Sequence, residues 1–164
     1  MSKNRGIRKS VIIFGLILIP INTWWLIQME EFHYSGHPTT ASLFFNVIFF
    51  LLLLTLLNFF LKRFIPRAAL SQAELLTVYV MLSIASAISG HDQLIGLPPT
   101  LGHPFWFATA ENEWNALFFK NIPRWLALED KTVLRGYYRG ESSFYIKENL
   151  QAWLSPLVWW ILFY

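Results

Sequence analysis

Apolar residues in this chain come in long unbroken blocks, not at the alternating or three-to-four spacing of a half-buried strand or helix. The first block, residues 11–28, is 18 residues without a formal charge, at the short end of the roughly 20 that a helix needs to cross about 30 Å of hydrocarbon. Pro20 lies inside it, where it removes one backbone donor and is expected to kink the helix, with Asn22 and Thr23 placed to satisfy freed backbone groups. Trp24 and Trp25 then fit an interfacial aromatic belt. Residues 41–61 form the clearest span, uncharged throughout and followed by Lys62 and Arg63. A third span is predicted over residues 71–90, where Ser71 and Glu74 have the spacing of a capping box before an apolar run that ends at Gly90. The last block, residues 153–164, has 12 residues, roughly 18 Å of helix, too short to cross. The pattern therefore predicts an all-α polytopic membrane protein with three complete spans and a fourth, residues 152–164, that the chain cuts short as a fragment of something longer.

Composition agrees with the blocks. The chain is 55% hydrophobic and 14% charged, against roughly a quarter charged in an ordinary soluble domain. Cysteine is absent, which excludes disulfides, thiolate nucleophiles, iron–sulfur clusters and zinc sites that need sulfur. The net charge of +3 does not gather into a basic face for nucleic acid.

The basic residues instead report orientation. Lys3, Arg5, Arg8 and Lys9 precede the first span, and Lys62, Arg63 and Arg67 lie in the link 62–70, whereas the link 29–40 has no Lys or Arg. By the positive-inside rule the tail 1–10 is cytoplasmic and residues 29–40 and 91–151 are outside. A cleaved leader would show small residues after its apolar core, and residues 24–31 show none.

The outer segment 91–151 is too long for plain loop and is predicted to be an aromatic-rich region of short helices. Glu113, Trp114, Leu117 and Phe118 have helical spacing with Asn121 and Pro123 as stops, a second helix is expected from Asp130 to Tyr138, and a third from Ile146 into the last span. Phe105, Trp106, Trp114 and Phe118 would together offer a docking surface for a partner.

Candidate chemistry is sparse. No phosphate loop, nucleophile elbow, metalloprotease helix or dinucleotide fingerprint is present, so no catalytic residue, metal or cofactor is assigned. Glu30, Glu31, His33 and His37 share one link, read as an interfacial polar loop before a metal or proton site, because Gly36 and Pro38 argue against the helix that two histidines four apart would need. His91 and Asp92 directly follow the third span and are read first as a solvated helix terminus, and second as ionisable groups that can line a substrate path or relay protons. Asn22, Asn46 and Asn58 are polar groups inside spans, read first as interhelical hydrogen-bonding groups. Asn22, Asn46, His91 and Asp92 are the candidate path-lining positions. Ser83, Ser86 and Gly90, with Ala85 and Ser89, are small residues that would let the third helix approach its neighbours closely.

Residues 15–25 (GLILIPINTWW), 34–39 (YSGHPT), 70–76 (LSQAELL) and 102–114 (GHPFWFATAENEW) together resemble the opening of a bacterial family of large polytopic membrane proteins that carry a domain of unknown function. The opening is more distantly similar to oligopeptide transporters. The resemblance implies a place in the bacterial cytoplasmic membrane, further helices of the same protein as the partners of these spans, and transport of a small solute of unknown identity. A membrane assembly subunit, or an enzyme whose catalytic part lies elsewhere, are the rivals.

Overall fold

A computed structural model describes residues 6–40, 43–140 and 142–163; all regular elements among them are helical. The chain forms two compact units, Met1–Ile95 and Gly96–Tyr164.

The first unit is three long helices, α1 (Lys9–Ile27), α2 (Phe45–Phe64) and α3 (Gln72–Ser89). Each begins a helix that is long and apolar enough to cross a membrane. Helix α1 packs chiefly on α3, and α2 packs on both. Val11, Val47, Leu54, Val78 and Leu82 form the shared core, while Ile13, Leu16 and Ile17 on α1, Leu52, Leu56 and Leu57 on α2, and Leu76, Val80 and Ile84 on α3 are all exposed. The polar side chains Asn22, Asn46, Asn58, Glu74 and Ser86 are buried instead. Such an inside-out arrangement would be costly in water, where an exposed apolar face of this extent gains nothing and buried amides lose their hydration.

Close approach depends on small residues. A Cβ at Gly15 would meet the end of the Met81 side chain at 2.8 Å, so α1 and α3 lie nearly in contact there. At the far end of α3, a Cβ at Gly90 would fall 2.6 to 2.7 Å from three Thr39 atoms. The third helix opens as its sequence predicts: Ser71 Oγ accepts from the Glu74 amide at 3.2 Å, and Glu74 Oε2 accepts from the Ser71 amide at 2.8 Å.

The helix limits differ from the sequence reading in instructive ways. Helix α1 continues through Gln28–Phe32 as a π-helical turn, so the acidic pair Glu30 and Glu31 stands on a helical extension and not in a loop. Helix α2 begins at Phe45 and takes Lys62 and Arg63 into its last turn, where cations complement the unpaired carbonyls; Ala41 and Ser42 of the predicted span lie outside the described residues. Asn22 does not serve the backbone freed by Pro20, since its amide bonds side chains on α2 and α3.

The second unit contains α4 (Leu97–Trp106), α5 (Trp114–Leu117), α6 (Lys131–Arg139) and α7 (Lys147–Phe163). Helix α4 was not expected from a stretch holding Pro98, Pro99, Gly102 and Pro104. Pro98 and Pro99 fall in its first turn, where a missing amide hydrogen costs nothing. Gly102 faces Leu134 so closely that a Cβ would overlap it, which seats α4 against α6. Asp130 caps α6 by accepting from the Thr132 and Val133 amides, and Gly140 ends it in the left-handed region at φ 72°. Helix α7 starts at Lys147, so charged residues assigned to the outer segment form its first turn.

Asn58 closes the turn between α2 and α3 at Leu70. Asn58 Nδ2 donates to the Leu70 carbonyl at 2.9 Å and its Oδ1 accepts from the Leu70 amide at 2.7 Å. Replacing Asn58 with Ala leaves both backbone groups unpaired, and we expect a loss of about 1 to 3 kcal/mol. Equilibrium unfolding in mixed micelles would measure it, and a loss below a few tenths of a kcal/mol would show that the turn is held by other means.

Candidate functional site

Polar side chains occupy the interior of the three-helix unit at three levels. At the N-terminal end of α1, Arg8 reaches the opening of α3. Its Nε donates to Glu74 Oε1 at 2.6 Å and its Nη2 to Glu74 Oε2 at 2.9 Å, a two-pronged pair of the kind only a guanidinium makes. The remaining donors go to the Arg67 and Ala69 carbonyls at 3.0 and 2.8 Å. Glu74 thus closes the capping box and binds a cation of another helix with the same carboxylate.

Midway along, Asn22, Asn46 and Ser86 form a triad with no exposed surface, 0% for each. Asn46 Nδ2 donates to Asn22 Oδ1 at 2.9 Å and Ser86 Oγ at 3.0 Å, and Asn22 Nδ2 donates to Ser86 Oγ at 2.8 Å. One residue comes from each helix. Asn46 Oδ1 and Ser83 Oγ, one turn along α3, are buried without a hydrogen-bond partner among the described residues, so the triad has unused acceptor capacity beside it.

Past the C-terminal ends of α1 and α3 lies the third level. Glu30 is fully buried; its Oε1 accepts from the Thr39 amide at 2.9 Å and hydroxyl at 2.6 Å, and its Oε2 from the His91 amide at 3.0 Å. The adjacent Glu31 Oε1 accepts from His91 Nδ1 at 2.6 Å. The His37 ring lies edge-on to His91 with centroids 5.8 Å apart, and its Nδ1 is buried without a partner. The hydrogen bond to Glu31 favours the protonated imidazole and raises the His91 pKa above 6.5; the partial burial of the ring opposes this, and the charges of Glu31, Asp92 and Glu30 add to the rise.

Of the four candidate path-lining residues, Asn22 and Asn46 meet in the triad and His91 in the outer cluster, while Asp92 is exposed on the π-helical turn His91–Ile95. His33 is also outside the cluster, bonded by Nδ1 to the Gln28 carbonyl. No group of three or more metal-ligating side chains gathers among the described residues. Of the candidate docking residues in the second unit, Phe105 is 5% exposed and packs on Phe119, so it belongs to the interior. Trp106 stacks on Tyr138, and Trp114 and Phe118 lie against each other, all three half-buried. Sequence reasoning read Ser86 only as a small residue and Glu30 as part of an interfacial polar loop, with a metal or proton site as the lesser alternative, and it did not name Thr39; the signal for Ser86 was its place on the stripe that also holds Leu82 and Val78.

Two outcomes follow from this geometry. Asn46→Ala leaves the Asn22 carbonyl without its donor, and a loss of about 1 to 2 kcal/mol is expected, in the range of interhelical hydrogen bonds in apolar surroundings; an unchanged unfolding midpoint in micelles would refute it. For His91 the pKa is raised in the folded state, so its contribution is complete below the ordinary value of 6.5 and is lost as pH rises through the raised value. Thermal unfolding in a series of buffers from mildly acidic to alkaline is expected to show that decline in the native chain and to lose this component in His91→Gln.

Over residues 1–164 the chain matches the family described as Family of unknown function (DUF6785), and it belongs to that family. No curated protein and no solved structure matches it.

Proposed function

We propose that the chain is the membrane-embedded opening of a transporter-like polytopic protein, with its N-terminus cytoplasmic and the intact protein passing a small polar solute across a bacterial inner membrane. The single observation that supports this most is the fully buried triad of Asn22, Asn46 and Ser86 inside an otherwise apolar bundle, with ionisable clusters at its two ends. Polar groups inside a span are costly, and ionisable groups at its ends are found where solute and proton routes begin. In this reading α1, α2 and α3 are spans, α7 enters the membrane again from the outer side, and residues 91–151 are extracytoplasmic. The basic clusters before α1 and after α2 support that orientation.

Within the route, the triad is a closed layer and the cluster of Glu30, Glu31, His37 and His91 is its outer vestibule. A solute amide or hydroxyl could use the spare Asn46 and Ser83 oxygens once the helices part. A membrane assembly subunit remains the second reading, favoured by the half-exposed Trp106, Trp114 and Phe118.

The lack of cysteine makes orientation simple to test. In intact cells Ser35→Cys should react with an impermeant maleimide and Lys3→Cys only after lysis; the reverse pattern inverts the topology. Flux of a panel of peptides and small solutes into vesicles holding the protein should fall in Asn46→Leu at unchanged protein level. No flux for any solute under an ion gradient would sink the transport reading and leave the assembly reading.

A further inference from the structure

The second unit carries a groove of about 530 Å³ whose lining includes Lys120, Arg124, Glu129 and Lys131 over the ring pair Phe105 and Phe119, 4.4 Å between centroids. Three cations face one carboxylate. Arg124 Nε stands 4.0 Å from Glu129, a loose pair, and neither Lys120 nor Lys131 has an acceptor among the described residues. Two ammonium groups without acidic partners, beside a loosely paired guanidinium and two aromatic rings, have the chemistry to take a phosphate group attached to something apolar.

The packing of α7 says at what depth the groove would lie. Trp125 meets Trp159 edge-on at 5.2 Å, and Trp160 Nε1 donates to the Leu126 carbonyl at 2.9 Å. The loop that supplies Arg124 is therefore tied to α7 at the indoles of Trp159 and Trp160, directly before the exposed Ile161, Leu162 and Phe163. Leu117 and Trp125, neighbours in sequence of the groove residues, are exposed as well. Apolar and indole groups directed outward next to unpaired ammonium groups match the boundary between acyl chains and headgroups.

We propose that this groove binds the phosphate of an anionic phospholipid headgroup, with Lys120, Arg124 and Lys131 as its cations and Trp125 and Leu117 resting on the acyl boundary. The assignment rests on the reading of α7 as a membrane-entering helix. A free phosphate ester has the same charge, and the exposed apolar rim is what favours the lipid.

The test uses the purified chain in mild detergent and native mass spectrometry. The native protein should retain dioleoylphosphatidylglycerol over dioleoylphosphatidylcholine by about tenfold, and Lys120→Gln with Lys131→Gln should bring the two to parity. Arg135→Gln with Arg139→Gln removes the same charge from the same unit outside the groove and should keep the preference. Parity in the native protein, or an equal loss in the control pair, overturns the proposal. Displacement of the lipid by glycerol 1-phosphate at equal concentration also overturns it, in favour of a soluble ester. Carbonate extraction separates the two readings: a chain stripped from membranes sinks the membrane assignment itself, whereas a chain that resists extraction without a lipid preference sinks the groove alone.

Discussion

A polar side chain inside an apolar helix bundle must find its partner on another helix, because neither lipid nor a leucine-rich core supplies one. The three-helix unit is organised by that requirement. Apolar contacts between Val11, Val47, Val78 and Leu82 bring the helices together without fixing how far one slides along another. The directional bonds of Arg8 to Glu74, Asn46 to Asn22 and Ser86, and Glu30 to Thr39 and His91 do fix it, at both ends and in the middle. Register and identity of neighbours follow from a small number of amides and carboxylates.

The two ends solve the same problem differently. Near Arg8 the carboxylate of Glu74 meets a guanidinium, and charge is neutralised across the contact. At the other end the carboxylate of Glu30 meets two backbone amides and a hydroxyl, so its partners carry no charge. The charges nearest it are those of Glu31 and Asp92, and the protonation of His91 adjusts the charge of the whole cluster. One end is therefore held by a pair of opposite charges, and the other contains an imidazole whose protonation is coupled to the carboxylates beside it.

Much of the first unit was legible in the sequence. Block hydrophobicity is a one-dimensional signal, so the long helices could be read from it, and the Ser71–Glu74 cap was readable because both partners lie within one turn. Partners 64 or 66 residues apart, as in Asn22–Ser86 and Arg8–Glu74, leave no mark in a local window. Each was noticed singly: Asn22 as an interhelical hydrogen-bonding amide whose partner could not be named, Ser86 as a small residue, Arg8 as a sign of orientation and Glu74 as a cap. Helix α4 was hidden for a different reason: Pro98, Pro99 and Pro104 read as breakers unless the first turn is located in advance. Phe105 looked like surface because aromatic content alone does not tell which ring points inward.

The pairing of α1 with α3 has a consequence for the order in which the chain is made. Helix α1 leaves the ribosome first, yet the carboxylate that engages Arg8 and the hydroxyl that engages Asn22 are both on α3. Until α3 has been synthesised, Arg8 and Asn22 Nδ2 lack the acceptors they have in the folded unit, while Asn22 Oδ1 can already accept from Asn46 of α2. The contacts that fix α1 in its final register are therefore completed by the last of the three helices to be made, not by the helix that follows it in sequence.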